Sequence, residues 1–251
     1  MRSSGAKKMN LTEYEKSGRA RYVEFASAVA AILRAALSKS EDLNVQIVVG
    51  RAKDVASLEK KLIDRGLLET EDLEAEIKDL AGCRIVLYTN SDSTRLGQSR
   101  IIRDNFDVLE VRIHEPGVSI AETNELYQSN HFIVSLNESR AGLPEYSEFA
   151  GLRCEIQVQT ILNHSWAAMA HDTIYKAPTV EGFGRQALEA VRARLARVMT
   201  KYLLPAGYEF DKITADFERL AAGKQLFDEQ ALAAIGARFC THKGIPRGGR
   251  L

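Results

Sequence analysis

The chain has 251 residues, 45% hydrophobic and 27% charged, with 34 Lys and Arg against 34 Asp and Glu, which describes a globular protein and excludes an overall polycation that binds nucleic acid by net charge. Three scattered cysteines, Cys83, Cys154 and Cys240, fit a reducing compartment better than a disulfide frame or a metal site. The N-terminus lacks the apolar core of a signal peptide, and no apolar run approaches the roughly 20 residues that cross a bilayer, so the expectation is a cytoplasmic protein with no membrane partner.

Leu11 to Leu37 carries an apolar stripe through Tyr14, Tyr22, Phe25, Val29 and Leu33, with Thr12 and Glu15 as a capping box, and predicts an amphipathic helix. NVQIVVG predicts a short strand ending on Gly50, and DVASLEKKLIDRG a helix closed by Gly66. CRIVLYTN predicts a strand buried on both faces; SDSTRLGQSRIIRDNF predicts one helix, and FDVLEVRIH and NHFIVSL two more strands. EPGVSIAETNELYQS, between the last two, is longer than the usual loop of about four to six residues, and such loops often carry function. RCEIQVQT alternates Cys154, Ile156 and Val158 with Glu155, Gln157 and Gln159, so it is a strand with one apolar and one polar face. A solvated polar face is the ordinary reading of such alternation. Here the strand runs straight into the helical pattern of ILNHSWAAMAHDTIYK, which sets the end of that face beside a helix N-terminus, where anionic ligands collect.

After Lys176 the pattern is helical, with Gly184–Leu203, Phe210–Ala222 and Glu229–Phe239 as the candidates. The stripe of Leu188, Val191, Leu195, Val198, Met199 and Tyr202 needs a cover, and the N-terminal helix with Phe25, Val29 and Leu33 is the expected one. The predicted fold is α+β, a mixed five-stranded sheet flanked by helices. Residues 1–44 form an N-terminal helical region, 45–176 the main domain, 177–240 an all-helical extension and 241–251 a disordered tail.

GRAKDVASLEKKL places Arg51 and Lys53 on one strand parity, and Ser57 and Lys61 on one face of the following helix, so the four can converge on a polyanion such as a triphosphate. Taken alone, the four also suit a plain solvated face. KDLAGCRIVLY adds Asp79 and Arg84, and Asp79 with Glu155 makes a carboxylate pair of the kind that holds a nucleotide-borne Mg²⁺.

R-x-K-x-x-x-S-x-x-x-K, D-L-A-G-x-R-I, Y-Q-S-x-H, E-I-Q-V-x-T and H-x-W-A-x-x-x-H-D-x-x-Y-K, in that order, resemble the synthetase domain of the RelA/SpoT family over roughly residues 45–176. The resemblance implies a nucleotidyltransferase-like fold. It also implies a pyrophosphokinase that moves the β,γ-diphosphate of ATP onto a ribose 3′-hydroxyl, most often that of GDP or GTP, giving the alarmones (p)ppGpp. It assigns Arg51 to adenine, and Lys53, Ser57, Lys61 and Arg84 to ATP phosphates. Asp79 and Glu155 would hold Mg²⁺, with Glu155 also taking the proton of the attacking hydroxyl and Gln157 supporting the acceptor side. Tyr127 would stack on the acceptor base, and His131 would contact phosphates or ribose.

Departures from the family pattern fall near the acceptor. Where the family commonly has Lys-x-Asn-Gly-Tyr, this chain has Thr123, Asn124, Glu125, Leu126 and Tyr127; Gln159 replaces an arginine, and Ala170 an acid before His171. Loss of those charges disfavours free GDP or GTP and resembles the toxic small alarmone synthetases, some of which modify the 3′ end of tRNA. Such an acceptor needs a distant basic surface. Arg192, Arg194 and Arg197, with Arg185 and Lys201, supply one on a predicted helix, in a segment, Glu181–Leu251, with twelve basic and eight acidic residues; a solvated bundle face is the simpler reading of the same residues. The partners this reading brings are ATP, a nucleotide or tRNA acceptor, and a neutralising antitoxin; self-association into a homo-oligomer is left open. His171-Asp172 spells the dyad of metal phosphohydrolases, but with only five histidines in the chain that chemistry lacks further ligands. A catalytically silent nucleotide-binding regulatory module of the same fold is the alternative from a different class.

Overall fold

The computed structural model describes residues 8–114, 129–171, 173 and 184–226. Tyr127 and its neighbours Thr123 to Leu126, Asp172, Tyr175, Lys176, the helix expected at Glu229–Phe239 and the tail lie outside the described residues, as does the side chain of Arg185. The chain divides after Gly207 into two compact units, Met1–Gly207 and Tyr208–Leu251.

In the first unit the chain opens with α1 (Leu11–Glu13), a π turn over Tyr14–Gly18 and α2 (Arg19–Leu37). The capping box sits two residues earlier than the sequence suggests: Asn10 accepts from the Glu13 amide at 3.0 Å while the Glu13 carboxylate accepts from the Asn10 amide at 3.2 Å. Asparagine caps a helix as well as threonine does, and the helix begins one turn before the stripe becomes continuous. Strand β1 (Val45–Ala52), α3 (Val55–Arg65), α4 (Leu73–Glu76) and β2 (Ala81–Leu87) follow. Gly66 ends α3 in the left-handed region at φ 66°, as its place after the stripe predicts.

The stretch read as one helix is two, α5 (Asn90–Gln98) and α6 (Ile101–Asn105), separated where Ser99 turns extended at ψ 165°. The Ser99 hydroxyl donates to the Leu96 carbonyl at 2.8 Å and accepts from the Ile101 amide at 3.3 Å, the local competition with helix bonds that serine offers. Then come β3 (Phe106–His114), β4 (Ser129–Leu136), α7 (Glu138–Ala141), β5 (Cys154–Thr160), α8 (Ile161–Ala170) and α9 (Gly184–Val198). A π turn over Met199–Leu203 leads into α10 (Leu204–Ala221), which runs through residues 204–209, left between the two helices expected at Gly184–Leu203 and Phe210–Ala222. Pro205 has no amide to give, and widening the preceding turn by one residue relieves the clash its ring would make there.

The five strands form one mixed sheet in the order β1-β2-β5-β4-β3, parallel only between β2 and β5. Alternate residues sort the two faces. Ala81, Cys83, Ile85 and Leu87 join Cys154, Ile156 and Val158 in the core, under Phe25, Val29 and Leu33 of α2. That helix presses close. A Cβ on Gly50 would stand 2.1 Å from the Ala26 carbonyl oxygen, so only glycine fits there.

The opposite face of β2 is open at Gly82 and Arg84 and closed at Val86, so only the second half of the strand is buried on both sides. The thiols of Cys83 and Cys154 are buried, and burial pushes Cys83 up to about 12 and Cys154 well above its ordinary value, which makes both inert.

The stripe is covered only in part, with Val191, Val198 and Tyr202 exposed, and the covered part packs on α8 and not on the N-terminal helix. Met199, with Leu195, Leu203 and Leu204, packs against Trp166 and Ala170 of α8, and the Trp166 indole donates to the Leu195 carbonyl at 3.1 Å, while Phe25, Val29 and Leu33 are taken up by the main core. α8 begins at the last residue of the central β5, so its outward face is nearer to hand than a helix beneath the sheet. In the second unit, Phe210, Ile213 and Phe217 of α10 are exposed. Among the described residues no helix is long and apolar enough to cross a membrane.

Candidate active site

The open half of the polar face floors a cavity of about 340 Å³, within the range of small-ligand sites. Its wall on the β1 side carries Arg51, Lys53 and, from α3, Ser57; its floor is Gly82 and Arg84 of β2 with Glu155 and Gln157 of β5, and Asp79 closes one end. The ladder explains the grouping. Arg51 stands opposite Gly82, Gly82 opposite Glu155, and Arg84 opposite Gln157, so these residues share one face across three strands.

Asp79 is gripped by two lysines. Lys53 Nζ donates to Oδ2 at 2.7 Å and Lys61 Nζ to Oδ1 at 2.9 Å, with all three side chains less than a third exposed. Burial pushes the Asp79 carboxyl up, and the two ammonium groups more than offset it, so it is held below its usual range and is ionised at neutral pH. Lys61 therefore belongs to the site through Asp79, although it does not line the cavity wall. Lys53 is itself fixed from behind: the fully buried Tyr14 donates its hydroxyl to the Lys53 carbonyl at 2.7 Å. Burial raises that phenol to about 12, so it stays a donor.

Ser57 is engaged too. Asp54, the N-cap of α3, accepts from its amide at 3.1 Å and its hydroxyl at 3.3 Å. A carboxylate already holds the α3 N-terminus, so an anion in this cavity must be met by side-chain cations and not by that helix end.

On the other side Glu155 Oε2 accepts from Gln157 Nε2 at 2.8 Å, and Oε1 lies 3.3 Å from His131 Nδ1, in the position opposite Gln157 on β4. Burial raises the Glu155 carboxyl, but His131 and Gln157 prevail, and it too sits below its usual range. Arg84 Nη2 donates to Gln157 Oε1 at 3.2 Å, and its Nη1 lies 3.1 Å from His164 Nδ1. One chain of hydrogen bonds thus runs from α8 across β2 and β5 to β4.

The structure brings together Arg51, Lys53, Ser57, Lys61, Asp79, Arg84, His131, Glu155 and Gln157. Arg192, Arg194 and Arg197 are exposed on α9 and do not line this cavity. Gln159, expected near the acceptor, has 1% exposure and does not line the cavity. Sequence reasoning missed Arg19, which lines the cavity from the start of α2, outside every motif. It also missed Arg112, across the ladder from His131, whose partner Glu110 is held down at about 2 by hydrogen bonds from Arg112 and Lys78, both 2.6 Å.

Three or more cations around one cavity with two ionised carboxylates can seat a multiply charged anion beside a divalent cation. Among the described residues no cluster of three or more acidic, histidine or cysteine side chains forms a closed metal cage. Asp54 also lines the cavity but is engaged at the α3 N-terminus, which leaves Asp79 and Glu155, and one or two carboxylates suit Mg²⁺, which keeps waters and shares substrate phosphates.

A cation-lined cavity on the open face of a mixed five-stranded sheet defines an α+β domain whose charge suits a multiply charged anion. A family model described as the region found in RelA/SpoT proteins matches residues 50–179, and the chain belongs to that family. Among curated relatives, the GTP pyrophosphokinase YwaC of Bacillus subtilis is 27% identical over 127 residues, 50% of this chain and 56% of that protein. YjbM, a GTP pyrophosphokinase of the same organism, is 29% identical over 154 residues, 61% and 64%. The chain thus spans less than two thirds of the length of either. In fold it is similar to small alarmone synthetase 1 of B. subtilis, with TM-score 0.65 and 22% identity over 82% of this chain and 99% of that one. A GTP pyrophosphokinase family protein of Streptococcus pneumoniae is also similar, with TM-score 0.62 and 20% identity over 88% and 100%.

Proposed function

We propose that the protein is a Mg²⁺-dependent pyrophosphokinase that transfers the β,γ-diphosphate of ATP to a ribose 3′-hydroxyl. The observation that carries this reading is the pairing of Asp79 and Glu155 in one cavity, each oriented by named partners, with Arg51, Lys53, Lys61 and Arg84 around them. A silent binding module has no use for two carboxylates so held.

Lys53, Lys61 and Arg84 neutralise the donor phosphates, and Arg51 lies along the edge of the site where the adenine would pack. Asp79 and Glu155 would hold a Mg²⁺, which would supply charge stabilisation to the phosphates. Glu155 accepts the proton of the attacking hydroxyl, with Gln157 and His131 fixing its two oxygens. A carboxylate with a lowered pKa is a weak base, which suits the loose transition state of phosphoryl transfer, where positioning and charge matter more than proton abstraction.

The acceptor is GDP or GTP, or the terminal adenosine of tRNA. The naming of both curated relatives as GTP pyrophosphokinases favours the first. The second is favoured by Thr123 in place of lysine and by the exposed Arg192, Arg194 and Arg197. Transfer from γ-labelled ATP, run in parallel to GDP, GTP, ADP and deacylated tRNA, decides between them. Release of AMP with one acceptor, lost on Glu155→Ala, is the expected result. Binding of ATP with no AMP from any acceptor would make the chain a silent module.

A further inference from the structure

We propose that His164 is a positioning residue for the donor nucleotide, accepting a hydrogen bond at Nδ1 that holds the Arg84 guanidinium against the cavity; this rests on reading Arg84 as a donor-nucleotide contact. The geometry begins with the direct passage of β5 into α8. Thr160 caps the helix by accepting from the Asn163 amide at 3.3 Å. His164 follows one turn in, and helical side chains lean toward the N-terminus of their helix, here toward the floor of the cavity.

Arg84 Nη1 and His164 Nδ1 are 3.1 Å apart. A guanidinium has donors only, so Nδ1 must carry the lone pair and the ring proton must sit on Nε2. Burial, with the charges of Arg84 and Arg51 beside it, also lowers the His164 pKa and keeps the ring neutral. At its other end Arg84 donates to Gln157, whose amide is already oriented by Glu155.

The choice of histidine has a physical reason. A carboxylate at position 164 would hold Arg84 equally well but would neutralise it, and the cation would be lost to phosphate. A neutral imidazole fixes the guanidinium and leaves its charge available. Without it Arg84 loses the bond that fixes its Nη1 end.

The test is a cycle of Arg84→Ala, His164→Ala and the double variant. It is read by calorimetric binding of a non-hydrolysable ATP analogue, by KM and kcat, and by thermal unfolding. A charge-assisted hydrogen bond predicts about a tenfold loss of analogue affinity and a matching rise in KM for His164→Ala, with kcat nearly unchanged. In the Arg84→Ala background the same change should add nothing. His164→Asn, which offers Oδ1 as acceptor, should recover most of the loss. Losses that multiply in the double variant overturn the proposal alone; unchanged analogue binding by Arg84→Ala overturns the reading of Arg84, and the proposal with it. Independently of any variant, the imidazole ¹⁵N spectrum of the intact protein should show a proton on Nε2 and none on Nδ1, and the reverse tautomer is incompatible with the proposal.

Discussion

Asp79→Asn separates two roles that one carboxylate plays. In the structure Asp79 is the counter-ion of Lys53 and Lys61, at 2.7 and 2.9 Å; in the proposed reaction it would hold the metal while the lysines meet the phosphates. Breaking a fully buried pair costs about 3–5 kcal/mol and an exposed one under about 1. With side chains 18% to 29% exposed, the loss here should fall between these, about 1–2 kcal/mol, or roughly 3–6 °C in Tm for a chain of this size. Nucleotide binding should move the other way. With metal chelated, the substitution frees two ammonium groups from their competitor, and a non-hydrolysable ATP analogue should bind about tenfold tighter than to the wild type. With Mg²⁺ and acceptor present, transfer should drop by at least about a hundredfold. Calorimetry in chelator and in Mg²⁺, beside a thermal melt, reads all three. Weaker analogue binding by Asp79→Asn in chelator would refute the idea that Asp79 and the phosphates compete for the same lysines.

The stability difference between wild type and Asp79→Asn should itself depend on pH. A carboxyl whose folded pKa is lowered contributes fully above its unfolded value of about 3.9, and that contribution fades as pH falls through the lowered value, so melts between pH 7 and pH 2 should converge at the acid end. Gly50→Ala should destabilise by about 1–3 kcal/mol by denaturant unfolding, because its new methyl meets the Ala26 backbone and not a movable side chain. Charge reversal at Arg194 and Arg197 should leave any reaction with free GDP or GTP unaltered and weaken only a tRNA reaction, with the deficit changing as salt rises.

The strands were legible because their signals are local. FDVLEVRIH matches β3 end to end, and the alternation in RCEIQVQT named both faces of β5 correctly. Glu155 and Gln157 could be found for the same reason. What stayed hidden depended on parts of the chain far away. Arg19 belongs to a helix whose stripe says only that it is amphipathic, and nothing in its neighbours tells that its first residue reaches over the sheet. His164 was visible as a histidine on a helical face, but its partner Arg84 is 80 residues earlier. Gln159 shares parity with Glu155 and Gln157, yet it is buried whereas they line the cavity, and parity cannot tell where the cover begins. The cover over Leu195 and Met199 was misassigned because an apolar stripe specifies that a partner exists, not which one. One helix was read across Ser99 and two helices on either side of residues 204–209, and a serine hydroxyl and a π turn reversed both outcomes.

β5 writes its two messages in alternate letters. Cys154, Ile156 and Val158 are core; Glu155 and Gln157 are the floor of the site. A mispairing of β5 by a single residue would drive a carboxylate and an amide into the hydrocarbon interior and turn three apolar side chains toward water. Such a misfolded sheet would be too unstable to persist. The alignment that chemistry demands is therefore proofread by the hydrophobic core, and any molecule of this protein that folds at all carries its acidic and amide groups on the correct side.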